Sequence, residues 1–144
     1  MQYEKILIAV NSKASSFTEA EYGFALAHQL KASVGLLYVV DKTKEITSAD
    51  LGITPEESVA NMLKRAQEMI SQLTGTYHDV ANVMHFTPEG NPRDEIVKTA
   101  REWKADMIIM GTDSSDGLHH LFTDGTAEHV IKHTQVPVML IPKK

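Results

Sequence analysis

The chain contains no cysteine, so disulfides, thiol redox chemistry and cysteine-type zinc sites are excluded together. It has no run rich in Lys or Arg, and its formal net charge is −5. Without a basic stripe there is no footprint for a phosphate backbone, which argues against nucleic acid as a partner. Long apolar runs are missing too. Nothing approaches the roughly 18 consecutive apolar residues of a membrane span, and Met1 leads into a strand-like segment rather than a signal peptide. The expectation is a cytoplasmic protein with no membrane association. Internal repeats, low-complexity stretches and a second domain are also absent from the pattern.

What is present is ordinary globular material, 144 residues of which 42% are apolar and 23% charged. One domain of that length, covering residues 1–144, buries about two-thirds of its unfolded surface. Lys5-Ile-Leu-Ile-Ala-Val-Asn11 and Val34-Gly-Leu-Leu-Tyr-Val-Val40 are short apolar runs of the kind that suits strands buried on both faces. Val80–Thr87 alternates as a third strand, Met107–Met110 is a fourth and Val136–Ile141 a fifth.

Helical signals fall between these runs. Ser16-Phe-Thr-Glu19 has the spacing of a capping box, in which Ser16 binds an unpaired N–H and Glu19 reaches back. The helix it opens carries Tyr22, Ala25, Leu26 and Leu30 at helical spacing and should stop near Lys31. Residues 41–53 show no pattern. Thr54-Pro-Glu-Glu57 starts a second helix, with Val59, Met62, Leu63, Ala66, Met69, Ile70 and Leu73 on one face. Gly75 sits where a left-handed C-terminal cap is expected. Asn91 is the N-cap of a third helix whose buried stripe is Ile96, Val97, Ala100 and Trp103, and Thr126 to about His133 forms a fourth. The order β-α-β-α-β-α-β-α-β predicts an α/β fold, a five-stranded, mainly parallel, doubly wound sheet with four helices.

In such a sheet ligands sit beyond the carboxyl ends of the strands, where strand order reverses. The segment there that carries the most information is Gly111–Thr126, a glycine-punctuated loop between a buried strand and a helix N-terminus. Loops of this kind can turn backbone N–H groups toward an anion. This one also holds Asp113, Asp116 and Asp124 and no Lys or Arg. A close carboxylate opposes a phosphate by roughly 1 kcal/mol at 4 Å in water, whereas a helix terminus returns about 0.3–1 kcal/mol. The architecture favours an anion; the charges disfavour it unless a cation intervenes.

Other polar groups have bland explanations. His119 and His120 beside Asp116 and Asp124 read as solvated loop residues, because adjacent histidines need special geometry to share an ion. His129 and His133 have zinc-like spacing without a third ligand, and they suit the C-terminal end of a helix dipole. Ser12 and Ser15 fit turn chemistry. Met62, Met69, Met107, Met110 and Met139 fall at core-like positions, and Trp103 closes the stripe of the third helix. No nucleophile–base arrangement can be argued from the spacings.

Taken in order, the opening Lys5–Asn11, the Leu37-Tyr-Val-Val-Asp41 after helix one, Gly90-Asn-Pro92, Ala105–Thr112 and His133–Pro142 resemble the universal stress protein family over nearly the whole chain. Members that bind ATP carry Gly, two residues, Gly, nine residues, Gly, then Ser or Thr. Here Gly111 matches the first glycine and Gly125-Thr126 the closing pair. Ser114 replaces the second glycine, and the gap to Gly125 is one residue longer. Gly117-Leu118 matches a glycine-leucine of the family loop, and Asn11 stands where the family commonly has Asp.

The resemblance implies a cytoplasmic stress-response protein acting as a regulatory homodimer, paired through the edge strand Val136–Ile141, with a weakened ATP site. In that site Val39 and Met110 would hold the base and Asn11 would lie near the ribose. Gly111, Gly125, Thr126 and the amide of Ala127 would hold phosphates, with Ser114 and Gly117 in the loop and Mg²⁺ or Mn²⁺ offsetting the aspartates. Ser114 adds a Cβ where the backbone should approach oxygen atoms. At most slow ATP hydrolysis is expected, since the loop offers no general base and no cation for a transferring phosphoryl group. Two alternatives stay open: an interaction module of the same fold that binds no nucleotide, and an enzyme of the adenosine-nucleotide α-hydrolase type.

Overall fold

Strong β-formers at the centre of the chain's apolar runs decide the architecture. In the computed structural model, which describes residues 1–42, 52–77, 79–80, 82–112 and 125–142, the elements alternate without exception. They are β1 (Lys5–Val10), α1 (Ser15–Leu30), β2 (Ser33–Tyr38), α2 (Pro55–Thr76), β3 (Val83–Phe86), α3 (Pro92–Trp103), β4 (Met107–Gly111), α4 (Thr126–His133) and β5 (Val138–Ile141). The strands form one parallel sheet in the order β3-β2-β1-β4-β5. Ile8 pairs with Leu36 on one side and Ile109 on the other, so β1 is central.

Side chains alternate across that sheet. Ile6, Ile8 and Val10 face a cluster with Ala20, Phe24 and Ala27 of α1 and Ile70 and Leu73 of α2. Leu7 faces the opposite cluster, with Ile96 and Ala100 of α3 and Ala127 and Val130 of α4. Both faces of β1 are therefore apolar, as its sequence requires.

Caps set by neighbouring residues form as their spacing predicts. Thr54 Oγ1 accepts from the Glu57 N–H at 3.1 Å, and Glu57 Oε2 accepts from the Thr54 N–H at 3.4 Å. Asn91 Oδ1 accepts from the Arg93 N–H at 2.9 Å. Elsewhere tertiary packing prevails. α2 runs past Gly75 to Thr76 and is capped at Tyr77, whose N–H donates to the Leu73 carbonyl, so Gly75 is helical and not a left-handed cap. Tyr77 stacks on Phe24 with centroids 4.8 Å apart, a contact that rewards the extra turn. β3 is shorter than its pattern, Val83–Phe86, and Met139 of β5 is exposed on the sheet's edge strand instead of in the core.

The largest departure is in α1. There is no capping box: the helix starts at Ser15 with Ala14 in the N-cap position, and no side chain caps it. Its buried face is Ser16, Glu19, Ala20, Gly23, Phe24 and Ala27, while Tyr22 and Leu30 are exposed. The reason is close approach. A Cβ at Gly23 would collide with the Ile8 side chain and meet Ile109 Cδ1 at 3.5 Å, so the helix presses its small residues, not its large ones, onto β1 and β4.

α1 and α3 end alike. Lys31 (φ 57°) and Lys104 (φ 61°) are left-handed C-caps. After each, an alanine N–H returns to the helix, Ala32 to the Ala27 carbonyl and Ala105 to the Ala100 carbonyl, both at 2.9 Å.

Candidate functional site

β1 and β4 are neighbours, and the chain leaves them toward opposite edges of the sheet. Their carboxyl ends therefore flank the one reversal of strand order, and a crevice of about 650 Å³ opens there.

One wall is the β1–α1 corner, built from side chains. The Asn11 N–H donates to Ser16 Oγ at 2.8 Å, Ser16 Oγ donates to Asn11 Oδ1 at 3.1 Å, and the Lys13 N–H donates to the same Oδ1 at 2.9 Å. Because Lys13 can only donate there, the oxygen of the Asn11 amide is fixed toward the loop. Its NH₂ is what Asn11 can offer a ligand. Ser16 is fully buried as the keystone of this turn.

Glu19 lies deeper. It is 5% exposed and lines the crevice. Burial pushes its carboxyl up from 4.5 to about 7, against the lowering effects of the Ser16 hydrogen bond and the Lys13 charge. A Cβ at Gly111 would coincide with the Glu19 carboxyl. Gly111 is thus required by a side chain from the opposite wall, a constraint independent of any ligand.

The second wall is apolar, with Leu37 and Val39 at the end of β2, Ile96 of α3 and Met110 of β4, all lining the crevice and sharing one cluster. Thr126, the first residue of α4, closes it. The preceding Gly125 has φ 78°, and a Cβ there would sit 2.8 Å from Arg93 Nη2. Met62 and Arg65 of α2 border the opening.

Of the residues expected at the site, Asn11, Val39, Met110, Gly111 and Thr126 line this crevice. Gly125 and Ala127 flank Thr126 without lining it, and Ala127 is buried in the core. Ser114 and Gly117 lie outside the described residues, as do Asp113, Asp116, Asp124, His119 and His120. His129 and His133 are far from it in role: their rings stack at 4.0 Å, His133 Nδ1 meets the His129 carbonyl at 2.8 Å, and His129 Nε2 lies 3.5 Å from Asp94 Oδ1.

Three lining residues escaped the sequence reading. Lys13 and Arg65 bring cations that the loop lacks, so a charge count along Gly111–Thr126 misjudges the site. Glu19 has the spacing of a local cap. Lys13 has a signal, its place three residues past a central strand's carboxyl end. Arg65 has none, since only tertiary packing of α2 brings it here.

Residues 2–142 match the profile of the universal stress protein family. The chain belongs to that family. A universal stress protein of Methanocaldococcus jannaschii is 32% identical over 146 residues, spanning 98% of this chain and 83% of its own. Among solved structures, UspA from Lactobacillus plantarum superposes with a TM-score of 0.83 at 21% identity, covering 98% of this chain and 99% of its own. A universal stress protein from Archaeoglobus fulgidus in complex with dAMP gives 0.67 at 20% identity, covering 98% and 99%. One in complex with cAMP gives 0.72 at 13% identity, covering 99% and 98%. These structures share the five-stranded universal stress protein fold, as the sequence pattern predicts. Among the described residues, no helix is long and apolar enough to cross a membrane.

Proposed function

We propose that this universal stress protein is a regulatory adenine-nucleotide binder that works as a homodimer. The observation that carries the reading is the division of the crevice. A slot between Val39 and Met110 can take a flat apolar base, while Lys13, Arg65 and the N-terminus of α4 at Thr126 bring positive potential. Asn11 lines the same crevice and has an NH₂ to offer a ribose oxygen. Crystallised relatives with dAMP and cAMP support the same ligand class.

Binding rather than turnover is the expected activity. Phosphoryl transfer needs a positioned base and charge stabilisation in line with the leaving group, and the Gly111–Thr126 loop carries no Lys or Arg to supply that charge. Mg²⁺ or Mn²⁺ would offset the aspartates of the loop and the charge of ATP. β5 is the outer strand beside β4, with Met139 exposed, and such an edge is normally covered. Pairing with its counterpart in a second chain would cover it.

Calorimetric titration of ATP, AMP and cyclic AMP, with and without Mg²⁺ or Mn²⁺, tests the ligand. Micromolar binding of at least one is expected. No heat, together with an unchanged melting temperature at millimolar nucleotide, would refute it. Light scattering at micromolar protein tests the dimer, for which twice the 16.0 kDa chain mass is expected.

A further inference from the structure

The crevice contains a feature that nucleotide binding alone does not call for: a buried acid on the wall that phosphates would approach. Glu19 is 5% exposed, lines the cavity, and fills the space under Gly111. Its position is held by Ser16, itself locked by two hydrogen bonds to Asn11. The charged or titratable groups that share the crevice with it, among the described residues, are Lys13 from the β1–α1 corner, Tyr38 of β2, Asp41 beyond β2 and Arg65 from α2. From β4 it meets Gly111, and the other β4 and β5 residues that line the crevice, Met110 and Ile141, carry no charge.

A carboxylate in that position and an incoming phosphate repel each other at short range in a poorly solvated pocket. A neutral carboxylic acid has no such conflict and can donate its O–H to a phosphate or ribose oxygen. The surroundings already hold the carboxyl at about 7, where half the molecules carry the proton, so a nearby anion raises it further.

We propose that Glu19 is the specificity-determining residue of the crevice, admitting an anionic adenine nucleotide only in its protonated form, so that binding takes up one proton. The inference rests on the nucleotide reading and adds a regulation to it: affinity declines as pH rises past neutrality. It also favours ligands of low phosphate charge over ATP without a cation, because every added charge works against the same carboxyl.

The test uses cyclic AMP, whose single phosphodiester does not itself titrate between pH 6 and 9. Calorimetry in buffers of different ionisation enthalpy should give uptake of about 0.9 proton at pH 8, and affinity should fall about 25-fold from pH 6.5 to 8.5. The Glu19→Gln variant, isosteric and always neutral, should bind at both pH values as the wild type does at the lower. In wild type, the carboxyl carbon resonance of Glu19 should titrate near 7 when free and higher in the saturated complex. Identical pH profiles for both proteins, or no proton uptake, would overturn the inference while leaving nucleotide binding intact. An unmoved Glu19 resonance in the complex would do the same. If neither protein binds cyclic AMP, AMP or ATP at any pH, the nucleotide reading itself fails, and this inference with it.

Discussion

The two strand-to-helix corners that meet at the crevice solve the same topological problem by different means. At the β1–α1 corner four residues, Asn11 to Ala14, turn the chain, and side chains do the fixing: Asn11 and Ser16 bond each other, and Lys13 and Glu19 follow. At the β4–α4 corner the glycines supply close approach and a positive φ, Gly111 to make room for Glu19 and Gly125 to lie against Arg93. Among the described residues, the first corner offers a carboxyl that gains and loses its proton near neutrality, Glu19; the second offers glycine backbone, which does not. A site assembled from both has a fixed shape and an adjustable charge.

Experiments that break one corner at a time sharpen this contrast. The largest effect should come from Glu19. Its folded-state value, about 7, lies above the 4.5 of an unperturbed carboxyl, so the folded protein holds the extra proton between those values. Stability from this group is complete below about 4.5 and is lost as pH rises through about 7, in total about 3 kcal/mol. Urea unfolding from pH 4.5 to 8.5 should show that decline in the wild type, and Glu19→Gln should remove it. A decline of equal size in the variant would assign it elsewhere.

Gly111→Ala should cost about 1–3 kcal/mol, because the new Cβ must displace the Glu19 carboxyl. If the corners are coupled as described, Gly111→Ala in a Glu19→Ala background should cost much less, and a double-mutant cycle in urea measures the difference. Strict additivity would mean the two residues do not meet.

Smaller effects belong to the exposed cations. Lys13→Ala and Arg65→Ala should each weaken ATP binding about two- to fivefold, with the loss shrinking as salt is raised. Thr54→Ala, which removes the N-cap of α2 and touches no residue of either corner's hydrogen bonds, should lower stability by about 1 kcal/mol with no change in nucleotide affinity, a control for general loosening.

How much of this was legible in the sequence follows from the range of the interactions. Thr54 with Glu57, and Asn91 with Arg93, are partners within three residues, so a pattern finds them. Alternating apolar runs give the sheet, because burial on both faces leaves no other composition. Ser16 and Glu19 have the same three-residue spacing as a cap, yet the fold buries both and turns Glu19 to the crevice, and spacing cannot distinguish the two uses. Gly23 decides which face of α1 is buried, through contacts with Ile8 and Ile109 that lie on two different strands. Arg65 reaches the site from a helix that joins neither strand of the reversal. Gly75, finally, looked like a terminus because glycine often is one; stacking of Tyr77 on Phe24 carried the helix past it.

The two left-handed lysines, Lys31 and Lys104, lead into β2 and β4 at the end of the sheet remote from the crevice. A side chain in that backbone region is disfavoured relative to glycine. Each is therefore a point where the molecule can be made sturdier without touching its chemistry. Lys31→Gly and Lys104→Gly should each raise stability by about 0.5–1 kcal/mol. Together they would give an engineer a reinforced chassis, able to carry a redesigned pocket whose own substitutions would otherwise leave the chain too fragile to purify.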